Sequence, residues 1–143
     1  MTGDRVDAPG GTERAFHRRV TAAAEELVEL RHALARWVAE IGMSVEQQED
    51  VVLAGYEAMA NSAEHAYRDG AHGALDVRAT YHDHELTVTV TDYGTWQPPD
   101  PTDGFRGRGL VLIRRLAHDS ATTHRDDGTT VTMTWKAESA TGA

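Results

Sequence analysis

The sequence lacks cysteine, long apolar runs and an excess of basic residues. Without cysteine it holds no disulfide framework, no thiolate zinc site and no cysteine nucleophile. No stretch approaches the ~20 apolar residues that a membrane-spanning helix needs. Residues 1–11 contain no apolar run of the kind that marks a signal peptide. These absences predict a cytoplasmic protein without a membrane segment.

The net charge of −9 arises from 23 acidic and 14 basic residues. Non-specific nucleic-acid binding requires a basic surface, and an anionic lipid surface also attracts clusters of basic residues. The charge therefore argues against both nucleic acid and membrane as partners. The 143 residues, of which 40% are hydrophobic, are sufficient for one domain with a core of its own.

The pattern along the chain predicts one domain over residues 14–136, between disordered tails over residues 1–13 and 137–143. Apolar residues recur at three- and four-residue steps over residues 24–41, which predicts a helix that Gly42 ends. Ser44 to Gln47 matches a capping box and begins a second helix, which we expect to run to about Tyr67.

Five strands and a third helix complete the prediction. A proline-rich loop over residues 95–105 precedes this short helix, which spans Leu110 to Ala117. His82, His84 and Glu85 are interpreted as the tip of a hairpin rather than as a metal site. The predicted strands cover residues 16–20, 75–81, 86–91, 120–125 and 131–135. This order predicts an α+β two-layer sandwich, in which helices cover one face of a mostly antiparallel mixed sheet.

Glu57 and Asn61 are four residues apart on the second predicted helix and therefore share one face. One interpretation is the solvent face of an amphipathic helix. The functional interpretation is that the Asn61 oxygen binds Mg²⁺, which prefers hard oxygen ligands and few protein contacts. Glu57 would then act as a general base near a terminal phosphate.

Asp92 ends an alternating strand, and Gly94 follows two residues later. This pattern is typical of an ordinary turn. It also suits a nucleotide base, because a carboxylate accepts hydrogen bonds from an exocyclic amine such as that of adenine. Gly94 would let the backbone approach that base closely.

Gly104, Gly107 and Gly109 precede the third predicted helix. They are typical of a flexible loop, but glycines at a helix N-terminus also expose backbone N–H groups to an anion. Arg106 and Arg108 add charged donors suited to phosphate. The stretch is not a P-loop, because no Lys-Ser/Thr pair follows it.

Together these stretches resemble the sequence boxes of the histidine-kinase-like (GHKL) ATPases, which share the Bergerat-type ATP-binding fold. Glu57 to Tyr67 resembles the N box, and Asp92-Tyr93-Gly94 resembles the first glycine box. Arg106 to Leu110 resembles the second glycine box, and Gly128 to Val131 resembles the closing strand. The resemblance covers about residues 16–136.

The short length and the ending His65-Ala66-Tyr67 resemble one branch of these ATPases, the anti-sigma-factor serine/threonine kinases of bacteria. Proteins of this branch bind a sigma factor, phosphorylate an anti-anti-sigma (STAS-type) protein with Mg·ATP, and usually form homodimers. The resemblance implies that Asn61 binds Mg²⁺, Glu57 is the catalytic base and Asp92 holds adenine. The remaining nucleotide-binding residues that it implies are Gly94, Arg106, Gly107, Arg108, Gly109, Leu110 and Thr129.

Two other function classes stay open at this point. One is a non-catalytic ATP-binding module for regulation or protein interaction, and the other is the detached ATPase domain of a sensor kinase. The presence of Glu57 favours a kinase over the non-catalytic module. The lack of a predicted phosphoacceptor helix pair argues against the sensor-kinase fragment.

Overall fold

The computed structural model describes residues 14–66, 73–94 and 106–137. The predicted tails, apart from Ala137, and the proline-rich loop lie outside these ranges. Within them the chain runs in the predicted order of strand, helix, helix, hairpin, helix and hairpin, so the α+β fold is confirmed. The elements are β1 (Arg14–Thr21), α1 (Ala24–Ile41), α2 (Val45–Ala66), β2 (Ala74–His82), β3 (Glu85–Asp92), α3 (Arg106–Leu116), β4 (Asp119–Arg125) and β5 (Gly128–Lys136).

The five described strands form one sheet in the order β1-β2-β3-β5-β4, and each neighbouring pair is antiparallel. β2 and β3 are joined by Asp83 and His84, whose φ angles are 57° and 64°. Two successive residues with positive φ are typical of the tight turn that matches the twist of a β-hairpin. The last strand, β5, pairs with β3 on one side and β4 on the other, which places it inside the sheet.

Alternation along the strands gives the sheet two different faces. On β3, Val88 and Val90 are buried, whereas the alternating residues Thr89 and Thr91 are half-buried. β5 repeats the pattern, so that Val131 lies opposite Val90 across the pair. We call the side that carries the buried valines the helix face and the side that carries the threonines the threonine face. α2 packs against β2, β3 and β5, and α1 packs against β1.

The two long helices pack closely against each other. Leu34 is fully buried on α1, and a Cβ added to Gly55 of α2 would lie 3.0 Å from its Cδ2 atom. α1 ends at Gly42 with a φ of 95°, the left-handed conformation expected from the sequence. The Ser44 Oγ accepts a hydrogen bond from the Gln47 backbone N at 3.1 Å, which confirms the predicted N-terminal cap of α2.

Some element ends differ from the prediction. α3 begins at Arg106 rather than at Leu110, so Gly107 and Gly109 belong to the helix instead of a preceding loop. Glycine disfavours a helix interior by only about 1 kcal/mol, and the packing of α3 against α2 outweighs this cost. β1 exceeds its predicted limits of residues 16–20 because it pairs with β2 along its whole length.

α2 is described as far as Ala66, and none of the described helices is long and apolar enough to cross a membrane.

Candidate functional site

The candidate site is built around the carboxylate of Asp92, at the end of β3. Alternation places this residue in the same row as the buried Val88 and Val90, so its side chain lies on the helix face. Only 2% of Asp92 is exposed. A buried charge is costly unless hydrogen bonds replace the lost water. The surrounding donors therefore decide whether the fold tolerates this side chain.

Three donors from three parts of the chain meet this carboxylate. The Asp92 Oδ1 atom accepts hydrogen bonds from the backbone N of Gly94 at 3.3 Å and from that of Thr129 at 3.2 Å. The hydroxyl of Ser62, on α2, donates to the same carboxylate. Burial raises the pKa of Asp92 above its ordinary value, and these donors together with the attraction of His124 counteract the rise only in part.

β5 holds the other side of the site. Thr129 lies directly opposite Asp92 in the strand register and is itself buried, and its Oγ1 is 3.1 Å from the Nδ1 of His124. A Cβ added to Gly128 would lie 2.2 Å from the backbone O of Asp92 and 3.3 Å from the Cα of Tyr93. Only glycine fits this position, so β5 can pack directly against the backbone at the end of β3.

α2 carries the predicted pair Glu57 and Asn61 and packs against β3. Ser62, which contacts Asp92, is buried on the apolar side of α2 together with Ala58. Asn61 is its direct neighbour and is half-buried. Glu57 is also half-buried and lies one helical turn earlier, at a rise of about 6 Å. Asn61 is therefore the chain neighbour of a residue that contacts Asp92, and the roles predicted for Asn61 and Glu57 stay predictions.

The predicted phosphate-binding stretch forms the start of α3. The backbone of residues 106–110 makes the first turns of this helix, and α3 packs against α2. Gly104 lies outside the described residues. The roles predicted for the side chains of Arg106, Arg108 and Leu110 stay predictions.

The structure adds Ser62, His124 and Gly128 to the site. The sequence contained a signal for Ser62, because this polar residue lies among the apolar residues on the buried side of the second helix. The sequence indicated Gly128 only as a turn glycine at the start of the closing-strand motif, since its contact with the end of β3 depends on strand pairing. His124 gives no local signal, because it reaches Thr129 only across the β4–β5 hairpin.

The described residues contain no group of three or more His, Cys, Asp or Glu side chains that could hold a metal ion. A Mg²⁺ ion bound with a nucleotide needs few protein ligands, because phosphates and water supply the others. The amide oxygen of Asn61 fits this requirement by its chemistry. His82 and His84 lie at the β2–β3 turn.

Sequence comparisons connect the chain with known proteins. The family model described as "Histidine kinase-like ATPase domain" matches residues 20–135. Serine-protein kinase RsbW of Listeria monocytogenes (strain EGD-e) is 31% identical over 138 residues, which cover 83% of this chain and 87% of the relative. Serine-protein kinase RsbW of Staphylococcus aureus (strain Newman) is 26% identical over 132 residues, which cover 81% and 82%.

Structure comparisons give a consistent result. The chain is similar to the crystal structure of the RsbU and RsbW domains of Rv1364c from Mycobacterium tuberculosis, with a TM-score of 0.71 and 26% identity. The match covers 87% of this chain and 32% of that longer chain. The histidine kinase domain of the Erythrobacter litoralis blue-light activated histidine kinase shares the fold, with a TM-score of 0.57 and 22% identity.

The raised pKa of Asp92 predicts a pH-dependent stability difference between the wild type and Asp92→Asn. A raised folded-state pKa means that the folded protein binds the proton more tightly than the unfolded chain does. Ionisation therefore costs stability as the pH rises through the unfolded-state and then the folded-state pKa. The asparagine keeps an acceptor oxygen for Gly94 N and Thr129 N without the charge. We expect it to be at least as stable as the wild type at neutral pH, with the gain vanishing in acid.

Urea unfolding at neutral pH and at a pH below the unfolded-state pKa measures this difference. The comparison variant is Asp92→Ala, which leaves both N–H groups without an acceptor and should lose about 1–3 kcal/mol at either pH. A neutral-pH loss in Asp92→Asn as large as that in Asp92→Ala would contradict the proposed cost of burying the charge.

Proposed function

The chain belongs to the histidine kinase-like ATPase domain family, and we propose that it is a protein kinase that uses Mg·ATP bound at Asp92. The buried carboxylate of Asp92 is the observation that carries this proposal. An ionised carboxylate offers about four acceptor positions, more than the three described donors use. It can therefore accept a further N–H from the exocyclic amine of adenine. Guanine presents an acceptor oxygen at that position, so we expect the site to discriminate against GTP.

The surroundings of Asp92 support a site that is formed before the nucleotide binds. Its acceptor oxygen is fixed by the backbone of Gly94 and of Thr129, and Gly128 allows close packing behind it. A donor or acceptor held in place in this way loses little entropy on binding. We assign Thr129 and Gly94 to the adenine end of the site on this basis.

The polyphosphate is assigned to the region between α2 and α3. The first backbone N–H groups of α3, including that of Gly107, have no acceptor within the helix and point towards its N-terminal end. Together with Arg106 and Arg108, they are suited to phosphate oxygens. We assign Gly109 and Leu110 to the same segment.

Asn61 is the proposed ligand of Mg²⁺ through its amide oxygen. When bound, the ion neutralises negative charge on the phosphates during phosphoryl transfer. A chain with a net charge of −9 has particular need of this neutralisation. The position of Asn61 beside Ser62, whose hydroxyl contacts Asp92, supports this role.

Glu57 is the proposed general base. Its carboxylate lies one turn from Asn61 on the same helix, and it is half-buried. In this role it accepts the proton of an attacking hydroxyl, while positioning and charge neutralisation supply most of the remaining rate enhancement.

The attacking hydroxyl is assigned to a serine or threonine of a partner protein. The similarity to proteins named serine-protein kinase RsbW supports this choice. We propose an anti-anti-sigma protein as the phosphorylated partner, a sigma factor as the protein held in check, and a cytoplasmic homodimer as the active form. A groove of about 450 Å³ between α1 and α2, beside the exposed side chains of Val45 and Leu53, supports binding to another protein.

ATP affinity should depend on the carboxylate of Asp92. Asp92→Asn presents a donor to the adenine amine in place of an acceptor, so we expect ATP affinity to fall by about ten- to a hundredfold, while GTP stays weak. Isothermal titration calorimetry with Mg·ATP measures the change. Asp83→Asn, in the β2–β3 turn, is the matched control. Unchanged ATP affinity in both Asp92→Asn and Asp92→Ala would rule out the adenine role.

Asn61→Ala should remove the dependence of nucleotide binding on Mg²⁺. The variant loses the amide oxygen and leaves the apolar side of α2 intact, so its circular dichroism spectrum should match that of the wild type. ATP titrations with Mg²⁺ and with EDTA give the enhancement in each protein. An equal Mg²⁺ enhancement in the two proteins is incompatible with Asn61 as a ligand.

Glu57→Gln should separate catalysis from binding. Removing a general base lowers the rate roughly 10²–10⁴-fold, whereas ground-state ATP binding does not require it. Phosphate transfer to a protein that co-purifies from the native host measures the rate, and Glu46→Gln, on the exposed first turn of α2, is the control. If the wild type transfers no phosphate and Glu57→Gln behaves identically in every assay, the chain is a non-catalytic nucleotide-binding module.

A further inference from the structure

Tyr93 follows Asp92 directly and lies on the opposite side of the sheet. Successive residues of a strand face opposite sides, so the Asp92 carboxylate is on the helix face while the Tyr93 ring is on the threonine face. Tyr93 is 47% exposed, and its hydroxyl donates a hydrogen bond to the Oδ2 of Asp76 at 2.5 Å. Two successive residues therefore form hydrogen bonds on opposite faces of the sheet, Asp92 on the helix face and Tyr93 on the threonine face.

Asp76 is a buried carboxylate among the more exposed residues of the threonine face. It lies in the middle of three strands, directly opposite Arg19 of β1 and Thr91 of β3, and is only 3% exposed. The Nε2 of His17 is 2.7 Å from its Oδ1, and the Nη1 of Arg19 is 3.2 Å from its Oδ2. Asp76 thereby links the edge strand β1 to the residue that follows Asp92.

The charges of this cluster keep the bond between Tyr93 and Asp76 in place. Burial by itself would raise the pKa of Asp76, but hydrogen bonds from Tyr93 and His17 and the charge of Arg19 outweigh it and lower that pKa. The same bond raises the pKa of Tyr93. Around neutral pH the carboxylate therefore stays charged and the phenol keeps its proton. The Arg19 guanidinium also lies 5.0 Å from the centre of the Tyr93 ring, in cation–π contact.

The turn from Asp92 to Gly94 is thus held from both faces of the sheet. On the helix face, Thr129 N and Gly94 N bind the Asp92 Oδ1. On the threonine face, the Tyr93 hydroxyl binds Asp76. Because Asp92 and Tyr93 share one peptide unit, the bond from the Tyr93 hydroxyl to Asp76 restrains the backbone that carries the Asp92 carboxylate.

We propose that Tyr93 and Asp76 are positioning residues of the nucleotide site, which hold the Asp92 carboxylate in register with the amine of the bound base. This assignment rests on the proposed binding of adenine at Asp92. The two side chains bond to each other on the threonine face, whereas the Asp92 carboxylate lies on the helix face. Changing either residue should therefore weaken only the binding of nucleotides whose base interacts with Asp92. A general loss of stability would weaken the binding of every nucleotide.

Calorimetric titration of the full chain with two nucleotides tests the proposal. The nucleotides are Mg·ATP and Mg·purine riboside triphosphate, which lacks the 6-amino group. The wild type should bind ATP more tightly. Tyr93→Phe keeps the ring beside Arg19 and removes only the hydroxyl. We expect it to weaken ATP binding about tenfold and to leave binding of purine riboside triphosphate almost unchanged.

Asp76→Asn, which removes the charge that strengthens the bond to Tyr93, should reproduce this selective loss, and the double variant should bind ATP no more weakly than either single variant, because both changes act on the same Tyr93–Asp76 bond. Tyr81→Phe, at the far end of β2, is the matched control and should bind both nucleotides as the wild type does. Thermal unfolding of every variant establishes that each is folded at the temperature of titration.

The outcomes separate this inference from the proposed function. Wild-type ATP affinity in Tyr93→Phe, or an equal loss for both nucleotides, overturns the positioning role while the site at Asp92 stands. A wild type that does not distinguish the two nucleotides overturns the adenine site itself, and the positioning role with it. Selective loss in Tyr93→Phe and Asp76→Asn, without further loss in the double variant, supports both.

Discussion

The burial of one carboxylate, that of Asp92, constrains the rest of the site. A charge on the helix face of the sheet is tolerable only where several donors converge. These donors come from α2, from the turn after β3 and from β5. Satisfying a single side chain therefore fixes the mutual positions of three elements that are far apart in sequence. The pKa of Asp92 is still raised, so the donors do not fully compensate for burial.

This incomplete compensation fits a binding site better than a structural one. A carboxylate whose charge is costly in the ligand-free protein gains from any further donor, and a nucleobase amine is such a donor. Natural proteins commonly retain groups of this kind at functional sites although they lower stability. Gly128 is constrained by the same region of the molecule. Because a side chain at this position would clash with the backbone of Asp92, only glycine lets β5 pack there.

The two faces of the sheet carry two buried carboxylates with different surroundings. The helix face carries the apolar core and presents Asp92 beside α2. The threonine face carries a second buried carboxylate, Asp76, whose partners His17 and Arg19 belong to the edge strand. Tyr93 connects the two because it follows Asp92 on the chain and bonds to Asp76 across the sheet. A strand period of two makes such a connection possible within two residues.

Local patterns in the sequence were sufficient for the elements of the fold and for grouping candidate site residues that share one element. Helical periodicity located α1, and the cap at Ser44 located the start of α2, since both depend on residues within one or two turns. The four-residue spacing of Glu57 and Asn61 placed them on one face for the same reason. The sequence predicted the start of α3 four residues too far along the chain, at Leu110 instead of Arg106. Glycines disfavour a helix, but packing against α2 stabilises this one.

The sequence by itself determined that Asp92 would end a strand in line with apolar residues, because alternation is a local property. Only the tertiary structure decided which groups would surround it. Ser62 reaches Asp92 because α2 packs on β3, and Thr129 lies opposite it through the register of β3 with β5. The link between Tyr93 and Asp76 likewise arises from the pairing of β2 with β3. The hydrogen bond between Tyr93 and Asp76 joins residues 17 positions apart, and that between Thr129 and Asp92 joins residues 37 positions apart. The periodicity of one strand or helix does not specify which residues another element will bring to it.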